Sequence, residues 1–95
     1  WKTDVVSLLG ASFQPVEKDG LKSLGINGGL QIVDIEKGKL LNAGVRKGFI
    51  ITFVNGQSVQ KMEDLTEALK KNSNGGVYIE GVYPNGMRAY YAFGL

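Results

Sequence analysis

Residues 28–58 constrain the fold more than any other stretch, because two apolar runs there are separated by a turn, a short helical segment and a glycine-marked restart. Leu30, Ile32, Val33 and Ile35 make the first run, and residues 49–54 make the second. Both read as strands. A charged turn at residues 36–39 and the segment Leu40, Leu41, Asn42 and Ala43 lie between them. Gly44 is placed to end that helical turn in the left-handed region, and Gly48 to release the chain into the second strand. Asn55 and Gly56, directly behind the second run, are a strong tight-turn signal.

The flanking segments fill in around this unit. Residues 4–13 (DVVSLLGASF) are rich in strand formers, and Gly10 within them marks a bulge or a close backbone approach. Residues 14–27 carry Pro15, Gly20, Gly25 and mixed charge, which predicts an irregular connection containing a short helix. Gln57, Ser58 and Val59 make a short strand. Residues 62–71 are the clearest helix: Met62, Leu65 and Leu69 recur at helical spacing with Ala68 beside them, Glu63 and Asp64 suit its start, and Lys70 and Lys71 suit its end. Asn72, Ser73, Asn74, Gly75 and Gly76 stop it. Residues 77–83 and 87–93 flank Pro84, Asn85 and Gly86 and so predict a terminal hairpin. Tyr78, Tyr83, Tyr90 and Tyr91 concentrate there, as cross-strand packing residues.

Composition excludes several functions. The 95 residues contain no His and no Cys, so a Ser-His-Asp or Cys-His arrangement lacks its base, and zinc sites lack their usual ligands. No catalysis by this chain and no cofactor are expected. The net charge of +2 is dispersed, and the pairs Arg46/Lys47 and Lys70/Lys71 are too small for a nucleic-acid stripe. No apolar run reaches the roughly 20 residues of a membrane span. Residues 1–95 are expected to form one domain, cut from a longer protein because the sequence starts at Trp1 without an initiator Met.

Residues 28–58 resemble the heart of a PDZ domain, in the form attached to bacterial HtrA/Deg-type (DegP/DegQ-like) serine proteases. The motifs that carry the resemblance are Gly29-Leu30-Gln31-Ile32, then Ala43-Gly44-Val45-Arg46-Lys47-Gly48, then Ile50-Ile51, and finally Val54-Asn55-Gly56 before a helix. It extends over nearly the whole chain. Phe49 departs from the pattern, standing where the family usually has Asp; it is expected either to be buried or to belong to an exposed apolar patch that meets another domain.

The resemblance implies an α+β fold, a small, partly open antiparallel β-barrel or sandwich of five or six strands with one main and one short helix, in the circularly permuted order of the bacterial proteases. It also implies a site. Leu8-Leu9-Gly10-Ala11 matches the family's carboxylate-binding loop, whose converging backbone amides need a glycine. A peptide would add as a strand beside residues 9–13, its last side chain entering a pocket lined by Leu9, Ala11, Phe13, Met62, Leu65, Thr66 and Leu69. For Leu65, a position inside the core is the alternative. The implied function is a non-catalytic peptide-binding module of a periplasmic or cell-envelope serine endopeptidase, taking extended or C-terminal peptides of misfolded proteins. The competing expectation is a structural module, the more C-terminal PDZ domain of the protease, serving contacts with sibling domains and homo-oligomer assembly; no Arg or Lys stands immediately before Leu8, where one would help hold a carboxylate.

Overall fold

The computed structural model describes residues 9–71 and 75–94. Its elements, in chain order, are β1 (Ala11–Pro15), α1 (Lys18–Leu24), β2 (Leu30–Ile35), α2 (Lys39–Ala43), β3 (Ile50–Val54), β4 (Gln57–Ser58), α3 (Met62–Lys71), β5 (Gly76–Val82) and β6 (Arg88–Gly94). The strands form one antiparallel sheet in the order β1-β2-β3-β5-β6, with β4 attached to β3. Among the described residues the sheet is an open path rather than a closed barrel, and two short helices accompany the main one. Of the strand expected over residues 4–13, the part before Leu9 lies outside the described residues, and β1 runs on to Pro15.

Local chemistry explains the boundaries. Gly25 and Gly44 cap α1 and α2 in the left-handed region, each returning its N–H to carbonyls of the last turn. Asn55 (φ 49°) and Gly56 (φ 83°) both take positive φ, the geometry of the tight hairpin turn that joins β3 to β4. Asn55 also fastens β5, accepting the Tyr78 N–H at 2.7 Å on its side-chain oxygen. At the start of α3, the Asp64 carboxylate accepts the backbone N–H groups of Gln60 (3.0 Å) and Lys61 (3.2 Å), which supplies partners for donors that no helical carbonyl can reach.

Two register shifts shape the sheet. One, in the β1–β2 ladder, leaves Val33 as the extra residue; the other, in the β3–β5 ladder, leaves Thr52. The second reverses the alternation along β3, so Ile51 is buried while Phe53 faces out. The core joins Leu30, Ile32, Leu40, Val45, Ile51, Val54, Leu65, Leu69, Val77 and Ile79.

Phe49 is fully buried. Its ring lies 4.9 Å from that of Tyr83 and 5.2 Å, edge-on, from that of Tyr91, and the two tyrosine hydroxyls are 2.6 Å apart. The three rings form one aromatic cluster around position 49, the first of the two outcomes expected for Phe49. Burial first, then the hydrogen bond to Tyr83 and the charge Tyr83 would carry, push the Tyr91 hydroxyl up to about 12, against a smaller downward pull from Arg46. An acid whose folded-state pKa is raised contributes fully below its unfolded value of 10, and that contribution is lost as pH rises from 10 towards 12. Chemical denaturation across this range is expected to show stability falling, and Tyr91→Phe to flatten part of that fall.

Candidate functional site

Among the described residues β1 is an edge strand, paired to β2 on one side only. Its ladder alternates. The Gly10 carbonyl accepts the Glu36 N–H at 2.8 Å and the Val16 N–H donates to the Gly29 carbonyl at 3.2 Å, so between them Ser12 and Gln14 turn their main-chain groups towards β2. Ala11 and Phe13 therefore present theirs to the open edge. Their side chains are half-buried and pack against the core cluster, whereas Ser12 and Gln14 are exposed. α3 lies against this strand.

The loop that leads into β1 is held from behind. The Leu9 carbonyl accepts the Leu40 N–H at 3.3 Å, and the Gly10 carbonyl is taken by Glu36. No peptide bond among the described residues is cis. In a trans peptide the C=O and the following N–H point in opposite directions, so the Gly10 and Ala11 amides are turned away from the segment 36–40. Gly10 sits at φ 73°, the left-handed value at which successive amides converge into an anion-binding concavity. Contact also requires glycine there: a Cβ on Gly10 would lie 2.5 Å from the Lys37 carbonyl oxygen. From the other side, a Cβ on Gly38 would lie 2.6 Å from the Leu9 oxygen. These two glycines let the loop and the β2–α2 turn touch.

The residues singled out in the sequence fall into three groups. Ala11, Phe13, Met62 and Thr66 retain exposed surface, with Thr66 returning its hydroxyl to the Met62 carbonyl at 3.0 Å. Leu9, Leu65 and Leu69 are sealed in the core. Leu8 lies outside the described residues. Sequence reasoning gave no role to Glu36, Gly38 and Leu40, which hold the loop; Gly38, inside a charged turn, was the one available signal. Among the described residues no group of three or more His, Cys, Asp or Glu side chains is arranged to hold a metal ion, and no helix is long and apolar enough to cross a membrane.

Comparison with known proteins adds sequence and fold relatives. The chain is 34% identical over 80 residues to a probable periplasmic serine endoprotease, DegP-like, of Bartonella henselae. That alignment covers 82% of this chain and 16% of the relative, so the chain corresponds to a small part of that protein's length. Among solved structures it resembles the HtrA-type protease AlgW with a decapeptide, at a TM-score of 0.68 and 16% identity, over 88% of this chain and 27% of that one. It also resembles the PDZ domain of EpsC from Vibrio cholerae, residues 204–305, at a TM-score of 0.60 and 11% identity, over 99% of this chain and 86% of that one. No family model matches the sequence.

Proposed function

Because the chain is a PDZ domain of the HtrA-type protease family, we propose that it binds the C-terminal segment of an extended peptide by strand addition at the open edge of β1. The observation that carries this is the orientation of the Gly10 and Ala11 amides, turned outward because the Leu9 and Gly10 carbonyls are both engaged behind them. A terminal carboxylate fits such paired donors. The peptide backbone then pairs with Ala11 and Phe13, and its last side chain rests between Ala11, Phe13, Met62 and Thr66 over a floor of Leu9, Leu65 and Leu69. Main-chain pairing gives affinity and the side-chain pocket gives specificity. The AlgW relative, solved with a decapeptide, supports a peptide as the ligand class.

On this reading the parent is a serine endopeptidase of the cell envelope, as its DegP-like relative is named. This chain supplies peptide contacts rather than chemistry, since a sequence without His or Cys offers no conventional base for a nucleophile.

The test is amidation. A free-acid peptide ending in Phe or Leu is expected to lose at least about tenfold in affinity when its C-terminus is amidated, the cost of a lost charge-assisted hydrogen-bond pair. Equal affinity would overturn carboxylate capture and favour a purely structural module. Gly10→Val is no substitute for this experiment, because its side chain would strike the Lys37 backbone before it reached any ligand.

A second prediction concerns pocket size. Ala11→Ile would fill space beside Phe13, and competition between peptides ending in Phe and in Val is expected to shift towards Val. An unchanged ratio would place the terminal side chain elsewhere.

A further inference from the structure

At the other end of the sheet, a concavity of about 530 Å³ opens between the β5–β6 turn and the loop leading into β3. It is lined by Tyr83, Pro84, Asn85, Met87, Tyr91 and Arg46. The volume lies within the range of ligand sites. Its base is fixed: Tyr83 and Tyr91 rest on the buried Phe49, and the Arg46 N–H donates to the Tyr83 hydroxyl at 3.1 Å. The turn is pinned as well, by the Tyr83 N–H to the Met87 carbonyl and the Gly86 N–H to the Tyr83 carbonyl, both at 2.8 Å. The shape therefore exists before anything binds.

The lining is mainly apolar, carries one guanidinium and includes no acidic side chain. The positive charge at its rim is that of Arg46, which is exposed. Met87 is 63% exposed, among the most exposed large apolar side chains described. Tyr, Arg and Met are the residue types enriched where proteins meet, the first two for the energy they concentrate and Met for its adaptability. A wide mouth at a hairpin turn suits a segment of polypeptide. An apolar base below a cationic rim calls for an apolar side chain next to an acidic one.

We propose that this concavity docks an acidic, aromatic-bearing segment of a polypeptide partner, the aromatic side chain resting against Tyr83, Tyr91 and Met87 and a neighbouring carboxylate pairing with Arg46. The site is separate from the β1 edge and needs no free C-terminus. It would give the domain a second contact that reads side-chain charge.

The test uses a probe without the free carboxylate proposed for the first site, the tetrapeptide Asp-Phe-Asp-Leu acetylated at its N-terminus and amidated at its C-terminus. Titrated into the ¹⁵N-labelled 95-residue chain, it is expected to shift the amides of Arg46, Asn85 and Met87. Arg46→Gln, and separately a peptide with Asn in place of both Asp residues, should each weaken binding about fivefold, the worth of an exposed ion pair. Met87→Ala should weaken it through the apolar contact, and neither exposed substitution should alter thermal unfolding. Shifts confined to residues 10–13, an absence of shifts at millimolar peptide, or equal affinity for Arg46→Gln would each overturn the proposal.

Discussion

Phe49→Asp is expected to abolish cooperative folding. The ring is sealed from solvent between Tyr83 and Tyr91, and truncating a buried Phe costs about 3–5 kcal/mol through lost contacts and the cavity left behind. Asp adds a carboxylate that must be desolvated without a partner, a further cost of several kcal/mol. Together these rival the total stability of a small domain, about 5–15 kcal/mol. Urea denaturation followed by far-UV circular dichroism should show no native baseline at 25 °C, whereas Phe49→Leu, which keeps the site apolar, should retain a shifted transition. A folded Phe49→Asp variant would show that the cluster can reopen to water at this position.

Gly81→Ala is expected to be nearly as damaging, for a different reason. Gly81 pairs with Ile51 in the β3–β5 ladder, and a Cβ on it would run into the Ile50 carbonyl oxygen while lying 2.6 Å from the Phe49 ring. Neither neighbour has room to give, since one is backbone and the other is the most enclosed ring in the core. Relief requires β3 and β5 to separate, at a cost of about 3 kcal/mol, the upper range for overpacking. Gly75→Ala and Gly94→Ala, where an added Cβ meets nothing, serve as controls and should stay within about 0.5 kcal/mol. A similar response at all three sites would mean that the β3–β5 ladder yields more readily than its close contact implies.

The two substitutions also show where the sequence was informative. α3 was legible because Met62, Leu65 and Leu69 follow the helical period and the charges at each end suit its dipole; its bounds agree with the structure. The β3–β4 turn was legible because Asn followed by Gly satisfies a local rule that no distant contact has to endorse. The burial of Phe49 was left as one of two outcomes, and the tyrosines that decide it lie 34 and 42 positions further along. Gly81 carried no local signal, since it sits at ordinary strand geometry and is required only by what lies across from it. The same holds for the bulges at Val33 and Thr52, where alternation within a strand cannot reveal which residue the partner strand will skip. At the proposed site, the sequence offered Leu9, Leu65 and Leu69 alongside Ala11, Phe13, Met62 and Thr66 as one lining. The structure separates them by depth, because α3 turns two of its three leucine-class positions fully into the core and leaves Met62 at the rim.

The open edge of β1 is short, and its length sets a clock. Its outward-facing positions are Ala11, Phe13 and Pro15, and the last of these has no N–H to give. A peptide bound there could exchange both main-chain bonds only with the first two, Pro15 offering its carbonyl alone. With so few main-chain bonds, affinity in the region of 10 µM is the natural scale, and with association near 10⁶ M⁻¹ s⁻¹ a ligand would stay for about 0.1 s. A visitor leaving that often is sampled many times a minute. Retention for longer would require a second point of attachment on the same molecule, and a chain that engaged both ends of the sheet would depart only when both had let go at once.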